Sequence, residues 1–196
     1  RGLLRALLGR YLRLPPEEIR FCYGPHGKPS LAPEQNALDV RFNVSHSAEL
    51  AIVAVARGRD VGVDVERLRG DLEVEQLAAR YFSTEEAAAI RAAPPAVRHR
   101  RFFACWTRKE AFVKARGQGL SLAFDQFTVS VEPDAPAALL RTRWDAREAG
   151  RWALRDLAAG GGYAAAIAVE GGGWQLHCWQ WPADAPSPRA PRTTDR

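Results

Sequence analysis

The chain has 196 residues, of which 46% are hydrophobic and 26% are charged. This composition argues against a disordered chain, and the length suits one domain or two small subdomains. The formal net charge of +5 favours a polyanionic partner, namely nucleic acid, an acidic protein or a phosphorylated small molecule.

Helix and strand patterns alternate in the first part of the chain. Leucines at helical spacing predict an amphipathic helix, which a pair of prolines ends. Glycine and proline predict a turn or loop between short strands. In chain order the predicted elements are a helix over 2–12, a strand over 19–23, a turn over 24–29, and β-type segments over 42–45 and 50–56.

A strand over 61–66 follows a predicted hairpin turn at 58–60. Because side chains alternate between the faces of a strand, its three valines point one way, and Asp64 and Glu66 point the other. We therefore expect one face of this strand to join the core and the opposite face to present two carboxylates.

Two helical regions and a series of strands are predicted for the rest of the chain. Ser83 is a predicted helix N-cap, because Glu86 follows at the spacing of a capping box. Gly117 is expected to end the second helix. The predicted elements are helices over 73–92 and 96–116, strands over 124–131, 138–144, 152–157, 163–169 and 174–181, and a disordered tail over 182–196.

Cysteine usage and hydropathy indicate the compartment. The three cysteines are far apart and form no CxxC pair, which indicates free thiols in a reducing environment. No apolar run approaches the roughly 20 residues that a membrane-spanning helix needs, and no signal-peptide pattern opens the chain. We therefore expect a cytoplasmic protein without a membrane partner. Because methionine is absent and Arg1 lies within a helical pattern, we also expect a further segment before Arg1.

Three carboxylates are candidates for a metal site. Asp64 and Glu66 leave the same face of a strand about 7 Å apart, an arrangement that is most often a solvated strand face. Glu110 and Lys114 are helix neighbours four residues apart, most often a surface ion pair. Taken together, the three carboxylates fit one side of a Mg²⁺ shell, and Lys114 fits a substrate phosphate oxygen.

Basic and hydroxyl groups elsewhere are candidates for further phosphate contacts. Lys28 follows a glycine turn and His46 lies beside Ser45, although each is more often an ordinary loop or strand-end residue. The adjacent Ser45 and His46 raise the possibility of a serine nucleophile. Neighbours on a strand point to opposite faces, and no GxSxG turn is present, so we reject a serine hydrolase.

Four segments occur in an order that resembles the 4′-phosphopantetheinyl transferases of the surfactin-synthetase-activating type. The ordered set is far more specific than any single segment, and the resemblance covers roughly residues 1–170. The segments are GKP at 27–29, FNVSHS at 42–47, VGVDVE at 61–66 and WTRKEAFVK at 106–114, with GQGL at 117–120 behind the last and a further similar segment, FSTEE, at 82–86.

The resemblance implies a transfer reaction. Such enzymes move the phosphopantetheine arm of coenzyme A onto a serine of a carrier protein and release adenosine 3′,5′-bisphosphate. Asp64, Glu66 and Glu110 would hold Mg²⁺ on the coenzyme A pyrophosphate, which Lys114 would contact as a catalytic residue. The other residues implied in coenzyme A binding are Lys28, Pro29, Ser45, His46, Lys109 and Arg1.

The carrier serine needs a proton acceptor. Glu110 and Glu86 are both candidates for this catalytic role. We rank Glu110 as a metal ligand first and a base second. Glu86 has an ordinary alternative role in the capping box.

The resemblance also implies the fold class, α+β, with two similar subdomains related by pseudo-twofold symmetry. Each packs a long helix on a small antiparallel sheet, and the site lies between them. The predicted division is an incomplete N-terminal subdomain over 1–60 and a C-terminal subdomain with the metal site over 61–181.

The expected partner is an acidic acyl or peptidyl carrier protein, which the basic excess fits. Residues 67–69 and the basic run 98–101 are candidate contact surfaces, although a run like 98–101 is more often a solvated helix face. We expect a monomer. A nucleic-acid-binding module is a rival interpretation, but the arginines are scattered, so no nucleic acid partner is expected. A non-catalytic coenzyme A-binding protein of the same fold stays open as the alternative.

Overall fold

The structure, a computed structural model, describes residues 2–181. It is α+β, as predicted, with small antiparallel sheets and one long helix packed on the largest of them. The helices are α1 (Gly2–Leu12), α2 (Val74–Tyr81), α3 (Thr84–Ala92) and α4 (Pro95–Arg116). The strands are β1 (Phe21–Tyr23), β2 (Pro29–Leu31), β3 (Val40–Ser47), β4 (Leu50–Arg57), β5 (Val61–Arg67), β6 (Phe127–Val129), β7 (Leu139–Thr142), β8 (Trp152–Asp156) and β9 (Tyr163–Glu170).

The strands form four antiparallel sheets, and β5 pairs with a distant partner. The sheets are β1-β2, β3-β4, β6-β7 and the three-stranded β5-β9-β8, in which Asp64 lies opposite Ala166. The prediction of a hairpin at 58–60 is wrong, because β4 pairs with β3 while β5 pairs with β9. Residues 58–60 instead carry the chain from one sheet to the next.

The helical region predicted over 73–92 consists of two helices. Phe82 ends α2 in an extended conformation, and Ser83 begins α3 as its N-cap. The predicted capping box is confirmed, since Ser83 Oγ accepts from the Glu86 N–H and Glu86 Oε2 accepts from the Ser83 N–H at 2.9 Å. The left-handed Gly117, with φ of +68°, ends α4 as expected.

A glycine allows α4 to lie directly on β5. A Cβ atom at Gly62 would be 2.1 Å from the carbonyl oxygen of Ala111 and 2.2 Å from the amide nitrogen of Ala115. Only a residue without a side chain permits this close approach. The face of β5 that was expected to lie opposite the core is therefore covered by α4, and Asp64 on that face is only 2% exposed.

Three apolar clusters hold these elements together. The largest surrounds α4 and includes Phe102, Phe112 and Phe127. A second lies between α1 and β3, and a third joins β4 to the opposite face of β5 and to β9. Because β5 has packed layers on both faces, its position is tightly constrained.

The strand predicted over 174–181 does not form. Gly171 and Gly173 adopt positive φ values of 75° and 70° just after β9, and these turns take the chain out of the sheet. The segment packs through side chains instead: Trp174 joins the third cluster, and the guanidinium of Arg10 lies 4.3 Å from the ring centre of Trp181. The tail predicted over 182–196 lies outside the described residues.

Within residues 2–181, every helix is too short or too polar to cross a membrane. The division at residue 60 and the pseudo-twofold relation of the two parts stay predictions.

Candidate active site

Side chains from three elements meet where β3, β5 and α4 come together. Lys114 Nζ on α4 lies 2.6 Å from Asp64 Oδ1 on β5, and it also donates to Ser45 Oγ on β3 at 3.0 Å. The Ser45 hydroxyl in turn donates to Asp64 Oδ1 at 2.8 Å. The structure thus brings together three of the residues that the sequence singled out, from positions spread over 69 residues of the chain.

The second carboxylate oxygen of Asp64 is unsatisfied. Asp64 Oδ2 is buried, and no donor in the described part of the chain reaches it. Buried polar atoms normally have a partner, because an unpaired one costs about 1–3 kcal/mol. This oxygen therefore marks a position suited to a group that the protein itself does not supply.

The electrostatics of the cluster favour an added cation. Burial raises the pKa of Asp64, and this effect outweighs the opposing influence of Lys114 even at 2.6 Å. Burial also raises the pKa of Glu110, and the negative charges of Asp64 and Glu66 raise it further. A divalent ion placed among these carboxylates would stabilise the ionised forms of Asp64 and Glu110.

These carboxylates fit the chemistry of Mg²⁺ without forming a finished cage. Mg²⁺ takes carboxylate, water and phosphate oxygens, and it commonly uses only one or two protein carboxylates. Among residues 2–181, no group of three or more His, Cys, Asp and Glu side chains is arranged to hold a metal ion. Here the Lys114 ammonium balances Asp64, and Asp64 Oδ2 is the oxygen left available.

The structure adds a residue to which the sequence gave no role. Ser47 Oγ donates to Glu66 Oε2 at 3.0 Å. Ser47 lies two positions after Ser45 on β3, so both hydroxyls lie on the same face of this strand. Ser45 and Ser47 are two residues apart on a strand, as are Asp64 and Glu66. This shared spacing could have identified Ser47 from the sequence.

Ser45 and His46 lie on opposite faces of β3, as expected. Ser45 is buried in the cluster and His46 is exposed. This arrangement agrees with the rejection of a serine hydrolase. The coenzyme A contacts implied for Ser45 and His46 stay predictions.

Lys28 connects the loop before β2 to the end of α4. Its Nζ donates to the carbonyl oxygens of Ala115 at 2.8 Å and Val61 at 3.3 Å. Burial lowers the pKa of Lys28, and the nearby Asp60 opposes this effect. Pro29 follows as the first residue of β2. Contacts of Lys28 and Pro29 with coenzyme A stay predictions as well.

Lys109 and Glu86 lie away from this cluster, in the core. Their side chains are 0% and 1% exposed, and Lys109 Nζ lies 2.8 Å from Glu86 Oε2. Lys109 also donates to the carbonyl oxygens of Phe124 and Phe127, and Glu86 Oε1 accepts from the Val129 N–H. Neither group is left free for a substrate. The structure therefore does not support the roles predicted for Lys109 in coenzyme A binding and for Glu86 in catalysis.

The remaining predicted residues lie at the surface or outside the described range. Arg67 and Arg69 are exposed at the end of β5. In the basic run 98–101, three arginines form ion pairs with acidic side chains, as an ordinary helix face would. Arg1 lies outside the described residues.

Two family models match the chain. One, described as 4′-phosphopantetheinyl transferase superfamily, matches residues 60–168, and another, described as 4′-phosphopantetheinyl transferase, N-terminal, matches residues 1–58.

Curated relatives carry the same description. The chain is 36% identical to the 4′-phosphopantetheinyl transferase HetI of Nostoc over 92% of this chain and 73% of HetI. It is 31% identical to Sfp of Bacillus subtilis over 70% of this chain and 58% of Sfp. It is 40% identical to AcpT of Escherichia coli over 58% of this chain and 55% of AcpT. Since both HetI and Sfp match, the comparisons do not single out the surfactin-synthetase-activating type. This chain spans less than two thirds of the length of Sfp and AcpT.

Among solved structures, the chain is similar to the holo-[acyl-carrier-protein] synthase of Thermotoga maritima. The TM-score is 0.41 and the identity is 26%, with 57% of this chain and 62% of that chain covered.

Proposed function

The chain belongs to the 4′-phosphopantetheinyl transferase superfamily, and on this premise we propose that the full protein transfers the phosphopantetheine arm of coenzyme A to a serine of an apo carrier protein. The released product is adenosine 3′,5′-bisphosphate. The observation that carries the proposal is the meeting of Asp64, Ser45 and Lys114 at the junction of β3, β5 and α4.

The reaction is a displacement at phosphorus. The carrier serine oxygen forms a bond to the β-phosphorus of coenzyme A, and the bond from that phosphorus to the bridging oxygen breaks. Negative charge grows on the oxygens around phosphorus, and a positioned ammonium stabilises it. Lys114 supplies this charge, since its side chain is 28% exposed and can reach a bound pyrophosphate.

Glu110 is proposed as a metal ligand first and as the acceptor of the serine proton second. It lies one helical turn before Lys114 on the same side of α4, and it is only partly buried. In the absence of a bound ion, burial and the charge of Asp64 raise the pKa of Glu110, which suits a proton acceptor near neutral pH. The proton moves from the serine oxygen to the Glu110 carboxylate, directly or through water.

Asp64, Glu66 and Glu110 are the residues that would hold Mg²⁺. When bound, the ion would supply Lewis-acid stabilisation of the pyrophosphate charge. The unsatisfied Asp64 Oδ2 and the mutual repulsion of the three carboxylates support this assignment.

The carrier protein is the proposed partner at the open side of the cluster. The exposed Arg67 and Arg69 follow the carboxylate-bearing part of β5, and Leu68 between them is half-buried. Basic groups beside the site would attract an acidic carrier and orient its serine.

Mass spectrometry of carrier proteins tests the proposal. The full-length protein is incubated with coenzyme A, Mg²⁺ and several apo carriers, and we expect at least one carrier to gain the phosphopantetheine mass. Glu110→Gln should slow transfer by about 10²–10⁴-fold while coenzyme A binding is partly retained. The matched control is Glu85→Gln, an exposed glutamate paired with Arg141, which should transfer at the normal rate.

Two results would contradict the proposal in different ways. A wild-type protein that modifies no carrier but binds coenzyme A would favour a non-catalytic coenzyme A-binding protein. Transfer at the full rate by Glu110→Gln would leave the activity in place but remove Glu110 from the mechanism.

A further inference from the structure

Side chains of β3, rather than its backbone, satisfy one edge of β5. On its other edge β5 pairs with β9 through the backbone, and β3 pairs in turn with β4. Every second residue of β3 accepts a hydrogen bond from every second backbone N–H of β5, which is the spacing of side chains on one strand face. The bonds are Val63 N–H to Asn43 Oδ1 at 2.9 Å, Val65 N–H to Ser45 Oγ at 3.3 Å and Arg67 N–H to Ser47 Oγ at 3.1 Å.

The two serines in this row do more than protect the edge. A hydroxyl has one proton to donate and lone pairs to accept, so it can hold two partners at once. While Ser45 accepts from β5 it donates to Asp64, and while Ser47 accepts from β5 it donates to Glu66 at 3.0 Å. Asn43 accepts from β5 in the same way, and it bonds to no carboxylate within residues 2–181. The edge of β5 can therefore be satisfied without any carboxylate contact.

Ser47 is the one fixed contact of the Glu66 carboxylate. Within residues 2–181, no ion pair and no other hydrogen bond involves the Glu66 side chain. Asp64, in contrast, is held by both Ser45 and Lys114. Glu66 is half-buried at the open side of the cluster, where a long side chain without this bond would sample several rotamers.

We propose that Ser47 is a positioning residue, which holds the Glu66 carboxylate in the orientation needed to share a divalent cation with Asp64. The inference rests on the proposed function, because the cation matters through the pyrophosphate chemistry. In this proposal Ser47 acts through Glu66 and not by its own contact with the ion. Ser47 also accepts from the Arg67 N–H at the end of β5. The same hydroxyl therefore both holds β3 against β5 and orients Glu66.

Binding of Mn²⁺, as a paramagnetic substitute for Mg²⁺, tests the inference without a transfer step. The full-length protein is titrated with Mn²⁺ in the presence of coenzyme A, and free ion is measured by electron paramagnetic resonance. Loss of a group that orients a metal ligand typically weakens metal affinity by 10–100-fold, and we expect a loss of about tenfold for Ser47→Ala. Ser47→Thr keeps the hydroxyl and should restore the affinity to within about twofold of wild type.

Two further variants separate orientation of Glu66 from loss of the strand edge. Asn43→Ala removes an edge bond with no carboxylate contact, so it should lower the melting temperature and leave Mn²⁺ affinity unchanged. In a Glu66→Ala background, Ser47→Ala should cause no further loss, because the two residues act as one unit.

The results that would overturn the inference are distinct from failure of the proposed function. Unchanged Mn²⁺ affinity in Ser47→Ala would overturn it, and so would a wild-type protein that binds no Mn²⁺. It would also be overturned if Asn43→Ala lost as much Mn²⁺ affinity as Ser47→Ala, or if Ser47→Ala lowered the affinity further in the Glu66→Ala background. If these affinities follow expectation but no carrier gains the phosphopantetheine mass, the proposed function fails and the role of Ser47 stands.

Discussion

The consecutive residues Lys109 and Glu110 of α4 belong to two different groups of charged side chains. The two groups differ in how many of their polar atoms have hydrogen-bond or ion-pair partners. Lys109 is completely buried; its ammonium donates to two backbone carbonyl oxygens and forms an ion pair with Glu86. Glu110, the next residue, belongs to a partly exposed cluster in which Asp64 Oδ2 has no partner among the described residues. A buried ion pair whose polar atoms have partners stabilises the fold. A cluster with an unpartnered carboxylate oxygen and raised carboxyl pKa values is suited to binding and chemistry.

Helix geometry explains how neighbours come to have such different surroundings. Successive residues of an α-helix are rotated by about 100°, so Lys109 and Glu110 leave α4 in different directions. Lys109 points into the aromatic core, with its ammonium 4.2 Å from the ring centre of Phe127. Glu110 shares its side of the helix with Lys114, which contacts Asp64 of β5.

The largest change in stability is expected from Lys109→Met, which leaves the Glu86 charge buried without its partner. Breaking a buried ion pair in this way costs about 3–5 kcal/mol of unfolding free energy. Urea unfolding measures this loss as a lower midpoint with an unchanged slope.

The matched control for Lys109→Met is the double variant Lys109→Met with Glu86→Gln. Removing both charges should recover part of the lost stability, because no unpaired charge stays buried. A loss of less than about 1 kcal/mol in the single variant would mean that the pair behaves like a surface ion pair, and the contrast drawn above would fail.

A smaller loss is expected from Gly62→Ala, which acts on the side of α4 that carries the cluster. The added Cβ would lie 2.1 Å from the Ala111 carbonyl oxygen, a backbone atom that cannot turn aside. Overpacking of this kind costs about 1–3 kcal/mol, and a displaced α4 would also separate Lys114 from Asp64. Urea unfolding and the transfer assay should both show a loss.

Gly70→Ala is the control for Gly62→Ala, since a Cβ at Gly70 meets no atom within 4 Å. It should change stability by less than about 0.5 kcal/mol and leave transfer unaffected. If Gly62→Ala were equally harmless, the close packing of α4 on β5 would not be what places the cluster.

The sequence predicted on which faces these carboxylates lie, because their local patterns are strong. Alternation on a strand placed Asp64 and Glu66 on one face, and helical spacing placed Glu110 and Lys114 on one side. Helical spacing also contained the information that Lys109 faces the core, since Phe102 and Phe112 precede and follow it by seven and three residues. Lys109 was nevertheless predicted to bind coenzyme A, because it lies in the family-like segment at 106–114.

Long-range pairing was not predictable from local patterns. Asp64 lies opposite Ala166 in the β5–β9 register, about a hundred residues away, and no local feature of β5 specifies that partner. The nearby turn residues at 58–60 therefore suggested a hairpin. The aromatic segment over 174–181 was misleading for a different reason: its tryptophans pack by their side chains, while two left-handed glycines keep the backbone out of the sheet.

Apart from the control variants, the smallest change in stability is expected from Asp64→Asn, although it should abolish most of the transfer activity. Burial opposes the ionised form of Asp64, as its raised pKa indicates, so a neutral side chain of the same shape relieves that cost. The contact with Lys114 is weakened, but Lys114 is 28% exposed and water can solvate its ammonium. Unfolding free energy should therefore stay within about 1 kcal/mol of wild type, with mass spectrometry showing a loss of carrier modification.

This last variant separates the two groupings most sharply, because it reverses the pattern expected for Lys109→Met. Lys109→Met removes a buried ammonium whose contacts are all within the protein, so it should mainly lower stability. Asp64→Asn changes a carboxylate with one oxygen that has no partner among the described residues, so it should lower activity while stability is kept. If Asp64→Asn destabilised the protein as much as Lys109→Met, the Asp64–Lys114 contact would be a structural ion pair like the one in the core. The unsatisfied Asp64 Oδ2 would then no longer support a site for a cation and a phosphorylated substrate.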